Sequence, residues 1–258
     1  VNFAVVGDPV DHSLSPVIHN ACFDYLGIRA RYTTMRIPEG DFGRAVAALR
    51  SGDLDGINVT MPLKAEAFAG VDTRSRTAKR SLSVNTVVSE GGVLVGHNTD
   101  VGGVVYAVER LRLDPNTPVL ILGAGGAARA AAVAMEDREL SISTRNPQAA
   151  AELLESTVEF GEVLGWQQPV EGAVVINATP IGMRSERLSI AVIEGAAGFV
   201  DMAYGDQETP STQLAKRLGI PVSDGIDTLI GQASEAFALF VGQRPPIEVM
   251  EHAARNTR

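Results

Sequence analysis

The chain has 258 residues, of which 45% are hydrophobic and 21% charged, and a formal net charge of −9. That is the balance of a globular protein with packed cores, long enough for two lobes of roughly 100 to 150 residues each. The acidic balance disfavours nucleic-acid and anionic-membrane partners, which demand clustered Lys and Arg; no apolar run nears the ~18 residues of a membrane span; and the single cysteine, Cys22, excludes an internal disulfide and a multi-cysteine metal site.

The first predicted element is a strand over residues 3–6, entered at once with no basic or apolar leader, so a cytoplasmic location is expected. Ser15 is expected to cap a helix that Pro16 opens, with Cys22 a packed thiol on it. Strands follow at 32–37, 56–59 and 86–89 with helices between them, and Gly91–Gly92 turns the last strand into a hairpin with 93–95. A helix is expected over 101–111. Asp114, Pro115, Asn116 and Pro118 then break the chain, and a lobe boundary is expected at that break. Beyond it the pattern predicts strands at 119–122, 140–143, 173–177, 198–202 and 221–223, and helices at 126–135, 148–154 and 212–218. After Asp224 and Gly225 it is helical to the end, interrupted only by Pro245 and Pro246. Alternation of short apolar runs with amphipathic stretches is the pattern of βαβ units, so the class is α/β with mainly parallel sheet.

Gly123, Gly125 and Ala128 fit GxGxxG/A between an apolar strand and an Ala-rich helix, a context that points to a dinucleotide. Gly123 permits the tight turn, Gly125 lets backbone amides reach pyrophosphate, and small Ala128 lets helix and strand pack closely, with phosphate at the positive helix end. The plainer reading is that these small residues only permit close packing. About 20 residues on, where an acid would hold the ribose hydroxyls of NAD, the chain reads Ser143, Thr144, Arg145, Asn146. Arg145 can pair with a ribose 2′-phosphate and lie on adenine, which favours NADP; a solvated loop arginine is the alternative.

Oxidising an alcohol to a ketone needs a hydride acceptor and a group that takes the hydroxyl proton. Lys64 is the candidate, since it follows Pro62 at the start of a helix after strand 56–59, the carboxyl end where open α/β sheets place ligands. An amine partly withdrawn from water exchanges protons nearer neutrality, and a neighbouring carboxylate such as Asp100 orients it. A surface lysine and a helix-capping aspartate are the simpler alternatives. His12, His19, His97 and His252 show no HExxH spacing and read as loop or helix-surface residues, and no GxSxG elbow is present.

These segments resemble the shikimate dehydrogenase family over essentially the whole chain. GDPVDHSLSP (7–16) resembles its substrate loop and NVTMPLK (58–64) its lysine segment. VNT (84–86) and NTD (98–100) resemble its next two motifs, and GAGGAAR (123–129) its nucleotide loop. NATPIGM (177–183), DMAY (201–204) and GQASEAF (231–237) complete the series in the family's order. The resemblance implies reversible, NADP-dependent reduction of 3-dehydroshikimate to shikimate, a step of aromatic amino-acid synthesis. It implies a substrate-binding lobe (1–101) and a Rossmann-type NADP lobe (102–225) with a cleft between them. The C-terminal helices (226–258) have no strand of their own and are expected to return to the first lobe, and closure of the cleft before hydride transfer is expected to hinge near 101–103 and 225–227. By matching positions, Ser13 and Ser15 would bind the substrate carboxylate, while Thr60, Lys64, Asn85, Asp100 and Gln232 would hold ring hydroxyls and Tyr204 would add a contact. Lys64 and Asp100 would be the catalytic pair. The nucleotide would lie against Gly123, Ala124, Gly125, Gly126, Ala127, Thr144, Arg145, Ala178, Thr179, Met202 and Gly225. No metal is implied, and the protein would be a monomer or homodimer.

The chain departs from the family's pattern in three places. Thr144 and Ala149 stand where an Asn and a second basic residue are common, which weakens NADP preference. Gly225, Ile226, Asp227 and Thr228 replace Gly, apolar, Gly, Met, so a carboxylate is expected near the nicotinamide in place of a methionine. Leu82 and Ser83 replace a common Gly and Ala. These departures keep two alternatives open: a paralogue that oxidises quinate or another cyclic hydroxy acid, with either NADP or NAD as its cofactor, and a non-catalytic sensor of ligand or nucleotide.

Overall fold

The computed structural model describes residues 1–158, 160–184, 186–205 and 207–257; Arg258, the end of the expected C-terminal segment, lies outside them. No helix among the described residues is long and apolar enough to cross a membrane. The architecture is α/β, with two separate six-stranded sheets. Two compact units divide the chain, one of Val1–Thr99 with Gln232–Arg258 and one of Asp100–Gly231.

In the first unit β1 (Asn2–Gly7), β2 (Arg31–Arg36), β3 (Gly56–Val59), β4 (Thr73–Arg74), β5 (Thr86–Glu90) and β6 (Val93–His97) form a sheet in the order β2-β1-β3-β5-β6-β4. β1 runs parallel to β2 and β3, whereas β5 is antiparallel to both β3 and β6. Helices α1 (Ser15–Leu26), α2 (Gly43–Ser51), α3 (Lys64–Gly70) and α4 (Arg76–Ser81) connect the strands. Side chains alternate between sheet faces. Ala4 and Val6 therefore pack with Ile57, Val59, Phe42, Ala45, Leu49 and Ala67 on one side, while Phe3 turns to the other, where its ring stands 5.8 Å from Phe23 and 4.5 Å from Phe240.

Two expectations for α1 are corrected. Ser15 does not cap it: Ser15 is the first helical residue, Leu14 holds the cap position without a side-chain bond, and the Ser15 amide instead donates to Ser13 Oγ at 3.3 Å. His19 is not a surface residue. It belongs to the buried stripe of Ser15, Ile18, His19, Cys22 and Phe23, and its ring stacks on Tyr32 with centroids 4.4 Å apart and planes 2° from parallel. Burial among aromatic rings lowers its pKa from 6.5 to about 3, because a charged imidazole there would lose its hydration. Cys22 is buried and free.

The second unit contains α5 (Asp100–Glu109), β7 (Val119–Leu122), α6 (Gly126–Ala134), β8 (Leu140–Ser143), α7 (Pro147–Thr157), β9 (Glu162–Leu164), β10 (Val174–Asn177), α8 (Ile190–Glu194), β11 (Gly198–Asp201), α9 (Pro210–Arg217) and β12 (Val222–Ser223). Its strands are all parallel, in the order β12-β11-β10-β7-β8-β9. VLIL of β7 and VVIN of β10 are buried throughout, as expected for strands covered on both faces. The order reverses between β7 and β10, the switch point where such sheets bind ligands. α10 (Gly225–Val241) follows, and α11 (Ile247–Arg255), in the first unit, packs on α1.

The units part at Asp100 and Gly231, so the 114–118 break lies inside the second unit rather than between lobes. The reason is packing across the break. A Cβ on Gly198 of β11 would stand 2.8 Å from both Leu111 and Leu113 Cδ1, and α5, before the break, lies on α6, after it.

Candidate functional site

In the first unit the chemistry-bearing segments meet where β1 and β3 end. The Asp8 amide donates to the Met61 carbonyl at 3.0 Å and the Thr60 amide to the Val6 carbonyl at 2.9 Å. The approach requires glycine at position 7, because a Cβ there would fall 2.5 Å from Thr60 Cγ2 and 2.7 Å from the Met61 oxygen. The loop that carries Ser13 and Ser15 thus starts beside the loop that carries Thr60 and Lys64. Lys64 opens α3 and is half-buried, as are Ser13 and Thr60, while Ser15 is buried.

Antiparallel pairing puts the start of β5 and the end of β6 at the same end of the sheet as the end of β3. A buried polar network fills that end. Asn85 Oδ1 accepts from the Thr99 amide at 2.7 Å and from the Thr86 hydroxyl at 3.0 Å, and Asn85 Nδ2 donates to Thr99 Oγ1 at 3.0 Å. Asn58 Nδ2 donates to Thr86 Oγ1 at 2.9 Å, and the Tyr32 hydroxyl donates to Asn58 Oδ1 at 2.6 Å. Thr99 Oγ1 also reaches Gln232 Oε1 at 3.4 Å. Asn98 Nδ2 donates to Ser81 Oγ at 2.8 Å and the Ser83 carbonyl at 3.2 Å. Buried amides and hydroxyls are stable only when paired, and such networks fix their members in one geometry. Asn85 and Gln232 are brought together here, whereas the roles of Asn58, Thr86 and Thr99 as their frame were not read from the sequence. For Asn58 in β3 and Thr86 in β5, polar character within otherwise apolar strands was the available signal; Thr99 lies between β6 and α5 and carried no such mark.

Asp100, half-buried, opens α5 in the second unit. There the nucleotide loop lies at the switch point. Gly123 has φ of +117°, and a Cβ on it would meet the Ala178 carbonyl oxygen at 3.1 Å and Thr179 Cγ2 at 3.2 Å, so the ends of β7 and β10 touch. Gly125 is the N-cap of α6, has no side chain to cap the first-turn amides, and faces open space where its Cβ would be. Uncapped amides at a helix start with room above them suit a pyrophosphate. Ala124 precedes the cap, and Gly126 and Ala127 form the first turn of α6.

Below it, Asp201 is buried and organises two loops. It accepts from Asn177 Nδ2 at 2.9 Å, the Ala203 amide at 3.2 Å and the hydroxyls of Thr209 and Thr212. Burial raises its pKa, against which these donors act. Asn177 in turn accepts from Thr179 Oγ1 at 2.6 Å, which fixes Thr179 beside Gly123. Met202 and Tyr204 follow on the second loop, under which Gly225 packs: a Cβ there would lie 2.5 Å from the Ala203 oxygen and 2.8 Å from Tyr204 Cβ.

At the end of β8, Thr144 Oγ1 accepts from the Asn146 amide at 3.4 Å, and the Asn146 side chain caps α7 by accepting from the Ala149 amide at 3.3 Å. Arg145 is exposed, with Cζ 5.2 Å from the Trp166 ring centre. The carboxylate expected near the nicotinamide is otherwise engaged: Asp227 Oδ2 accepts from Ser223 Oγ at 2.9 Å and the Asp224 amide at 3.3 Å, and Oδ1 stands 3.2 Å from Arg110 Nε. Thr228 is buried beside it and its hydroxyl has no partner among the described residues. Among the described residues no cluster of His, Cys, Asp and Glu could hold a metal ion.

Family models match at both ends of the chain. The shikimate dehydrogenase substrate binding domain matches residues 5–87, and the shikimate 5′-dehydrogenase C-terminal domain matches residues 225–255. The shikimate dehydrogenase (NADP(+)) of Desulfitobacterium hafniense is 36% identical over 264 residues, covering 98% of this chain and 96% of that one. That of Nitrosopumilus maritimus is 34% identical over 264 residues, covering 97% of each. The crystal structure of shikimate 5-dehydrogenase from Thermus thermophilus, in complex with NADP(H) and shikimate, superposes with a TM-score of 0.91 at 33% identity over 100% of both chains. With these sequence, site and fold correspondences, the chain belongs to the shikimate dehydrogenase family.

Proposed function

We propose that the chain is an NADP-dependent oxidoreductase that interconverts 3-dehydroshikimate and shikimate. One observation carries the reading furthest: the joined ends of β1 and β3, where Gly7 lets the Ser13–Ser15 loop and the Thr60–Lys64 segment start side by side. Serine hydroxyls and amides suit a carboxylate, and a polyhydroxylated ring wants a donor or acceptor at each oxygen. Thr60, Asn85 and Gln232 serve the ring hydroxyls, with Tyr204 adding a contact.

The nicotinamide supplies the hydride when bound. Lys64 gives a proton from its ammonium to the substrate oxygen in the reducing direction and recovers it in the oxidising one, with Asp100 as the second member of the proposed catalytic pair. The nucleotide is held by Gly123, Ala124, Gly125, Gly126 and Ala127, by Ala178, Thr179, Met202 and Gly225, and by Thr144 and Arg145 at the adenosine end. A second reading, oxidation of a related cyclic hydroxy acid with NAD, draws on Ala149, which brings no second cation to the adenosine side. The engagement of Asp227 by Arg110 and Ser223 withdraws the support that this carboxylate lent to a non-catalytic sensor.

Initial rates with shikimate and quinate, each with NADP and with NAD, test the reading through reduced-nicotinamide absorbance. The fastest rise is expected for shikimate with NADP. No shikimate-dependent rise with NADP overturns it, and a faster rate with quinate and NAD selects the second reading.

A further inference from the structure

We propose that Trp166 is a positioning residue that sets cofactor choice: it holds Arg145 where the guanidinium meets the 2′-phosphate that distinguishes NADP from NAD. The proposal rests on the reading that the second unit takes NADP through Arg145.

Arg145 is exposed, and an exposed arginine spreads over many rotamers unless something selects one. The ring of Trp166 does so. Its centre is 5.2 Å from Arg145 Cζ, inside the ~6 Å over which an indole face attracts a cation. One side of the guanidinium is thereby occupied, and its N–H edge is left for an anion.

The indole is itself anchored. Trp166 packs against the core that contains Leu120, Leu122, Leu164 and Phe199. Its turn is pinned by Ser143, which is buried and whose Oγ donates to the Gly165 carbonyl at 2.8 Å and accepts from the Gln167 amide at 2.7 Å. Gln167 sits at φ +57°, a left-handed conformation a non-glycine residue adopts only when its surroundings enforce it. The Gln168 amide closes the turn onto the Gly165 carbonyl at 3.0 Å. Ser143 is also the last residue of β8, two positions before Arg145. One hydroxyl therefore ties together the strand end that carries the cation and the turn that carries the ring. Pro147, Gln148 and Ala149, which open α7, bring no other cation to this side. A single arginine discriminates well only if it is already in place, since a pre-ordered group loses less freedom on binding.

The test is calorimetric titration of the full chain with 2′,5′-ADP and with 5′-AMP, which lacks the 2′-phosphate. Trp166→Leu keeps apolar packing without an aromatic face, and Trp166→Phe keeps a face. For Trp166→Leu, 2′,5′-ADP is expected to bind about two- to fivefold more weakly while 5′-AMP binding holds, and Trp166→Phe is expected to retain most of the affinity. In an Arg145→Ala background Trp166→Leu should have no further effect. Unchanged 2′,5′-ADP binding in Trp166→Leu, equal losses for both ligands, or additive losses with Arg145→Ala overturn the proposal alone. Wild-type protein that does not prefer 2′,5′-ADP overturns the NADP reading and this proposal with it.

Discussion

Arg110 holds the carboxylate of Asp227: Nε and Oδ1 are 3.2 Å apart, with the aspartate side chain only 6% exposed and the arginine 41%. The pair joins the end of α5 to the first turn of α10. Because one partner is buried, removing the other should cost more than at an exposed pair and less than at a fully buried one, about 1 to 2 kcal/mol. Arg110→Met is expected to lower the melting temperature, and adding Asp227→Asn should restore part of the loss. A double-mutant cycle with coupling near zero would mean that the contact contributes nothing.

Leu82 ends α4 in the left-handed region, at φ 50°, and its side chain is 45% exposed. A β-carbon there is strained, and little packing is lost by deleting it. Leu82→Gly is expected to stabilise the first unit by about 1 kcal/mol. Next to it the Ser83 hydroxyl is buried with no partner among the described residues, so Ser83→Ala should also stabilise, by about 1 kcal/mol. Denaturant melts of both variants would check this, and a lowered midpoint for either would contradict it.

His19 makes stability fall in acid. Folding holds its pKa near 3 against 6.5 in the open chain, so as pH drops below 6.5 only the unfolded state takes up the proton. That drains stability at about 1.4 kcal/mol per pH unit until the folded pKa is reached. His19→Phe, which preserves ring packing, is expected to be relatively more stable by about 2 kcal/mol at about pH 5 than at neutrality. Parallel pH profiles for the variant and the wild type would refute the assignment.

Gly125 and Gly123 should fail in different ways. A Cβ at Gly125 meets no protein atom within 4 Å, so Gly125→Ala is expected to fold normally and to lose nucleotide affinity by about tenfold or more. Gly123→Ala forces a left-handed residue against the Ala178 carbonyl and should lower the melting temperature. Melting curves with and without NADP separate the two, and a destabilised Gly125→Ala would count against the open space above the helix start.

Lys64→Ala is expected to reduce turnover at least about a hundredfold, the usual scale for losing a general acid or base, with a smaller change in KM. Steady-state rates in both directions measure it. An unaltered kcat would remove Lys64 from proton transfer.

The alternation of apolar runs and helices, the glycine loop and the Lys64 segment could be read from the chain because each is a local pattern. β4 with two residues and β9 with three are too short to leave a periodic signal. The burial of His19 was encoded in the spacing of Ile18, Cys22 and Phe23, but a histidine does not announce itself as apolar. Asp227 could not be placed, since its partner Arg110 lies far away in sequence and only the close approach of α10 to α5, at Gly231 against Gly103 and Tyr106, brings the two together. The same holds for Arg145 and Trp166, which meet through a turn that no motif marks. The strain at Leu82 was half visible as a leucine where a glycine is common, and its sign depended on a backbone angle.

Trp166 is the chain's sole tryptophan, and its place on the Gly165–Gln168 turn decides what an optical experiment on the native chain would see. Indole emission reports on that one turn, so a spectral change on adding a nucleotide is a local reading from the adenosine side. For the same reason an emission-monitored melt follows the second unit alone, and circular dichroism, which sums both sheets, would trace a different curve if the units open at different temperatures.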